Sequence, residues 1–151
     1  MPPPHACADG KQCGFVIDGK ASVANLVRCE VRTCAHTGIS VTDGALATLE
    51  RVLVEGSRGG DGVRVAGESA HMQAKECRIL RCAMHGVVAC GGAAAELTQC
   101  EAKQNKSSGF GVEGEGSLVR LAACASDFDA QVRCWPFKVV ISAEALRHGI
   151  L

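Results

Sequence analysis

Three sets of residues in this 151-residue chain have types and spacings that could do chemistry. Ten cysteines stand at positions 7, 13, 29, 34, 77, 82, 90, 100, 124 and 134. Thiolates bind zinc and act as nucleophiles. The pairs Cys29/Cys34 and Cys77/Cys82 each enclose four residues, the upper limit of zinc-knuckle spacing. His36, Asp61 and His85 each fall shortly before a glycine. A carboxylate between two imidazoles could hold a metal or shuttle a proton. The third set is Arg28, Arg51, Arg64 and Arg78 with Glu101, since guanidinium groups grip carboxylates in two-pronged fashion.

What these residues can do depends on the elements that position them, and those elements repeat. Gly14, Gly38, Gly62, Gly86 and Gly109 each precede a short apolar-alternating segment, with steps of 24, 24, 24 and 23 residues. A second segment recurs in phase, as "SVANLVRCEV", "ALATLERVLV", "AHMQAKECRI", "AAAELTQCEA" and "SLVRLAACAS". Aligned, these give apolar columns: Ala24, Ala47, Met72, Ala95, Val119; Leu26, Leu49, Ala74, Leu97, Leu121; Cys29, Val52, Cys77, Cys100, Cys124. Polar residues alternate with them, the pattern of strands with one face buried. A helical repeat would space its apolar residues three and four apart. Coils of 23–25 residues stacked about one strand spacing, ~4.8 Å, apart bring like residues together. The expected fold is an all-β solenoid of about five coils, read as two strands per coil.

The pattern resembles the right-handed parallel β-helix of the pectin-lyase-like superfamily. It is similar to that superfamily's short "carbohydrate-binding and sugar hydrolase" type repeats, over about Cys13 to Asp129. The resemblance implies the fold and its handedness. It does not choose a function, because the superfamily includes lyases, hydrolases, epimerases and binding modules.

Stacking then sorts the chemistry. Cys29, Cys77, Cys100 and Cys124 are expected inside the coil as small hydrophobes, and Cys90 outside it as the most reactive thiol. His36, Asp61 and His85 are expected as turn residues on neighbouring coils, a weak catalytic alternative. The arginines and Glu101 are expected on a polar outer face, with Arg64 extending it, and solenoids use such faces for recognition. Lyases of this fold set Arg or Lys beside calcium-binding Asp, and the hydrolases cluster several Asp. Here Asp is sparse, and no carboxyl pair faces a common cleft as glycoside hydrolysis requires. The reading is therefore a noncatalytic binding or scaffold module for a protein or an acidic carbohydrate, without metal or cofactor. The alternative is a polysaccharide-active lyase, hydrolase or epimerase.

Composition narrows the partners. Sixteen basic residues balance sixteen acidic ones, which gives no long-range pull toward nucleic acid or an anionic membrane. No apolar run approaches the ~20 residues of a spanning helix. The N-terminus has no secretory pattern, which with ten cysteines suggests reduced thiols and a cytoplasmic location. Residues 1–12 read as a flexible tail and 13–141 as the β-helix. Residues 142–151 read as a short terminal helix capped by Ser142 or as a further coil. Open coil ends would allow a homo-oligomer or continuation in a larger chain.

Overall fold

The computed structural model describes residues 6–7, 14–126 and 138–141, the first and last of these by backbone alone. After a short strand β1 (Ala6–Cys7), five coils follow, each contributing three strands. The first coil holds β2 (Phe15–Asp18), β3 (Val23–Val27) and β4 (Glu30–Arg32). The second holds β5 (Ile39–Thr42), β6 (Leu46–Glu50) and β7 (Leu53–Glu55), and the third β8 (Val63–Ala66), β9 (His71–Lys75) and β10 (Arg78–Leu80). The fourth holds β11 (His85–Cys90), β12 (Ala94–Thr98) and β13 (Glu101–Lys103). The fifth holds β14 (Ser108–Glu113), β15 (Leu118–Ala122) and β16 (Ala125–Ser126), and β17 (Lys138–Ile141) follows.

Like strands stack into three parallel sheets. Sheet A runs β1-β4-β7-β10-β13-β16, sheet B β2-β5-β8-β11-β14, and sheet C β3-β6-β9-β12-β15-β17. Register follows the sequence columns: Ala24↔Ala47, Ala47↔Met72, Met72↔Ala95 and Ala95↔Val119 in sheet C. The apolar columns meet inside, where Ile39, Val63, Met72, Val87, Ala95 and Cys100 are all fully buried.

The two-strand reading of each coil needs correction. The inward columns ending at Leu26 and starting at Cys29 are three residues apart, not two, and a corner takes the extra residue. Arg28, Arg51, Glu76, Gln99 and Ala123 occupy that corner with φ of 52–54°. A non-glycine residue pays about 1–2 kcal/mol for this conformation. The next coil's carbonyl offsets it, since Arg28 N–H donates to Glu50 O at 2.9 Å, Arg51 to Lys75 at 3.0 Å and Glu76 to Thr98 at 3.0 Å. A long "first strand" thus becomes a strand of sheet C, a left-handed corner and a strand of sheet A.

The recurring glycine has a steric reason. At Gly38 a Cβ would lie 2.5 Å from Val54 Cγ1 and 2.7 Å from the carbonyl oxygen of Gly62. The chain enters sheet B so close to sheet A and to the next coil that only hydrogen fits there.

Past the fifth coil, β17 pairs with β15 as Val119↔Val139 and Leu121↔Ile141, which selects the Val139/Ile141 alternation at that end. β1 pairs with β4 through Ala6↔Glu30 and Cys7↔Val31. The rest of the expected N-terminal tail, and the helix or coil expected over 142–151, lie outside the described residues.

Candidate functional site

The outer face of sheet C carries a depression of about 320 Å³. It is lined by Thr48, Gln73 and Glu96 from one outward column and by Glu50, Lys75 and Thr98 from the next, over a floor that includes Leu49 and Ala74. Strict register builds it: Thr48↔Gln73↔Glu96 and Glu50↔Lys75↔Thr98 lie on three neighbouring strands. Side chains two apart on one strand share a face, so six polar groups from three coils point the same way. Glu96 is flanked by Arg120 at 3.7 Å and by His71 at 3.9 Å. Thr48, Gln73, Lys75 and Thr98 are exposed and have no side-chain hydrogen bond or close ion pair to any described residue.

The left-handed corner forms one rim of this groove, because its residues directly follow Glu50, Lys75 and Thr98. Here the expected arginines appear, and they are already paired. Arg51 Nε donates to Glu76 Oε2 at 2.8 Å. That pair holds the Glu76 carboxyl below its ordinary pKa and the Arg51 guanidinium above its own. Arg78 lies 3.4 Å from Glu101 on the neighbouring strand. Beyond them, Glu55 joins Arg81 at 2.8 Å and Arg32 at 3.5 Å. Arg28 starts the same corner column and is exposed. Arg28, Arg51, Arg78 and Glu101 therefore run along the corner and the adjoining edge of sheet A.

Arg64 stands elsewhere. It lies on β8 of sheet B, in register with Ser40 and Val88, and does not extend that face. Its Nη1 donates to Asp61 Oδ2 at 3.4 Å.

Asp61 opens a second, buried cluster. Its Oδ1 accepts the backbone N–H of His85 at 3.0 Å. His85 Nδ1 lies 2.5 Å from Ser108 Oγ, and Nε2 lies 3.3 Å from Glu113 Oε1. Hydroxyl, imidazole and carboxylate are thus in the order of a hydrolytic triad. The burial is inverted for that use: Ser108 is 0% exposed, while the Glu113 side chain is 55% exposed. A serine sealed from solvent cannot meet a substrate in this conformation, and the cluster instead ties three successive coils together at the entrance to sheet B.

His36 does not join it. The residue 24 before Asp61 is Thr37, which is buried, whereas His36 is exposed and makes no hydrogen bond to Asp61. The expected His36–Asp61–His85 grouping was out of register by one residue at its first member. The serine was missed, although Thr37, Asp61, His85 and Ser108 each directly precede a repeat glycine.

Cys90 also departs from expectation. It points to the outer side of β11 yet is only 8% exposed, and Val88 on the same side is 0% exposed. That side of β11 is itself buried, between Arg64 on β8 and Glu113 on β14, and burial pushes the Cys90 thiol up. Cys29, Cys34, Cys77, Cys82, Cys90, Cys100 and Cys124 are free thiols. Cys34 and Cys82 sit two coils apart, and among the described residues no three His, Cys, Asp or Glu side chains gather closely enough to hold a metal. No helix among the described residues is long and apolar enough to cross a membrane.

Comparison with curated proteins finds no match, and neither does comparison with solved structures. The family comparison does match: with residues 7–126 fitting the family model of the right-handed beta helix region, on top of three parallel sheets in coil register, the chain belongs to that family.

Proposed function

We propose that this protein is a noncatalytic recognition module that binds an extended polar chain, an acidic carbohydrate, in the groove of sheet C. One observation carries the reading: four exposed groove side chains, Thr48, Gln73, Lys75 and Thr98, project from a rigid sheet with no hydrogen bond or ion pair to a described residue. Immobile strands pre-order these groups and reduce the entropy lost on binding. Lys75 supplies the cation for a carboxylate. Glu50 and Glu96 accept hydrogen bonds from hydroxyls. Thr48, Thr98 and Gln73 can do either.

The corner arginines Arg28, Arg51 and Arg78, with Glu101, form the rim. Arg51 and Arg78 are matched to Glu76 and Glu101. These exposed pairs are weak and open at little cost, so the rim can engage a uronate carboxylate once the groove has placed it. Arg64 faces another side of the solenoid and is outside this surface. No aromatic ring is among the described residues that line the groove, so charge and hydrogen bonding dominate.

Calorimetric titration with oligouronates tests this, with the same samples assayed for new reducing ends. Saturable binding without new ends supports the proposal. Replacing Lys75 and Gln73 with Ala should weaken it about tenfold or more, the size of one charged hydrogen bond. Turnover abolished by Asp61→Asn would establish the polysaccharide-active enzyme instead. Binding to a protein but to no oligouronate would make the partner a protein.

A further inference from the structure

Cys77, Cys100 and Cys124 stand directly before β10, β13 and β16, whose first residues pair as Arg78↔Glu101 and Glu101↔Ala125. The three thiols therefore stack on successive coils, one strand spacing or about 4.8 Å apart. All belong to the core, with exposures of 2%, 0% and 0%. Each thiol donates to backbone carbonyls rather than to its neighbour, Cys77 to Lys75 O at 3.3 Å, Cys100 to Thr98 O at 3.4 Å and Cys124 to Leu97 O at 3.4 Å. Neighbouring strands bring Cα atoms into the roughly 4.4–6.8 Å range that a disulfide spans. Cys77 and Cys124 are two coils apart, roughly 10 Å, and lie outside it. Val52 occupies the same column between Cys29 and Cys77, so Cys100 alone in this column has a cysteine on either side.

We propose that this column is an oxidation site at which a small peroxide links Cys100 to Cys77 or to Cys124, but never to both in one molecule. The thiol sulfur of one member of a pair attacks hydrogen peroxide, the O–O bond breaks, the thiol proton passes to the departing oxygen, and a sulfenic acid forms with release of water. The sulfur of the other member then displaces the sulfenic hydroxyl, which takes up that thiol's proton and leaves as a second water as the S–S bond forms. Two thiols give up two electrons to one peroxide. The stacking is alike on both sides of Cys100, so either member of a pair can attack the peroxide and the other resolves the sulfenic acid. A peroxide is small enough to enter when a coil opens locally.

The test treats the native protein with hydrogen peroxide, alkylates it after denaturation and digests it with trypsin. Cys77, Cys100 and Cys124 fall in the separate fragments 76–78, 82–103 and 121–133. Fragment 82–103 should be joined to 76–78 or to 121–133, leaving one alkylated thiol of the three. Because Cys82 and Cys90 share that fragment, the variants decide the partner. Cys100→Ala should erase both links, Cys77→Ala should leave only the link to 121–133, and Cys124→Ala only the link to 76–78. Far-UV circular dichroism checks each fold, and the two flanking variants suffice where Cys100→Ala does not fold. A link between 76–78 and 121–133 would overturn the proposal. So would links that persist in folded Cys100→Ala, or three thiols left unlinked by peroxide that oxidises other cysteines.

Discussion

Gly62→Ala puts the steric account of the repeat under the most strain. A Cβ at Gly62 would press on the Ile79 side chain, lie 2.6 Å from the carbonyl oxygen of Gly86 and 2.9 Å from Cys82 Sγ. Ile79 and Cys82 are each 1% exposed, so neither can swing into solvent. The Gly86 carbonyl belongs to the next coil, so relief requires moving a whole strand. Overpacking of a core costs about 1–3 kcal/mol, and a backbone obstacle places this substitution near the top, at about 3 kcal/mol. The φ of Gly62 is outside the left-handed region, so the cost is steric and not conformational. At roughly 2–4 °C per kcal/mol for a chain of this size, the melting midpoint should fall by about 6–12 °C. Gly111→Ala is the control, because its Cβ would approach nothing closer than 3.3 Å, at His85 Nδ1. Thermal melts followed by far-UV circular dichroism compare the two. Equal midpoints for Gly62→Ala and Gly111→Ala would refute the claim that close approach of coils fixes the glycine.

Asn105 is 0% exposed; its Oδ1 accepts from Cys82 N–H at 2.9 Å and its Nδ2 donates to Ile79 O at 3.3 Å. Asn105→Ala strands both buried backbone groups and should cost about 2–4 kcal/mol in a denaturant melt; an unchanged midpoint would show that other partners take them over. Cys29, Cys77, Cys90, Cys100 and Cys124 should all resist a thiol reagent until the protein unfolds, since each is at most 8% exposed; fast labelling of Cys90 in native protein would contradict its burial. Glu76, held below its ordinary pKa by Arg51, gains from that pair above the unfolded carboxylate pKa and loses the gain as pH falls through its lowered folded value. In Arg51→Ala its NMR titration midpoint should move upward while the melting midpoint hardly changes, because the pair is exposed; a midpoint that stays put would mean Arg51 is not the cause.

The solenoid was legible because identical positions must stack: the glycine steps and the apolar columns both report the length of a coil. The three-sheet cross-section was not. Its decisive corner is held by Arg28, Arg51, Glu76, Gln99 and Ala123, residues with no shared side-chain chemistry and no intrinsic preference for positive φ. Neighbouring coils impose that conformation through ladder hydrogen bonds, which a single segment does not reveal. The groove on sheet C was half legible. The outward column Asn25, Thr48, Gln73, Glu96, Arg120 is visible in the repeat, but which charges find partners is decided between coils. The arginines drew attention for their charge, but Arg51 and Arg78 pair with Glu76 and Glu101, whereas the quieter Gln73 and Lys75 have no hydrogen bond or close ion pair to a described residue. Cys90 misled because alternation tells which side of a strand a residue faces, not whether that side meets water.

The most direct test of the central claim is a backbone-amide NMR titration with an oligouronate, which reports where the ligand sits and whether it stays intact. The account predicts saturable shifts concentrated on β6, β9 and β12 and on the corner at Arg51, Glu76 and Gln99, with the ligand's own spectrum showing no cleavage. Shifts confined to sheet B around Asp61 and His85, or products appearing in the ligand spectrum, would contradict it.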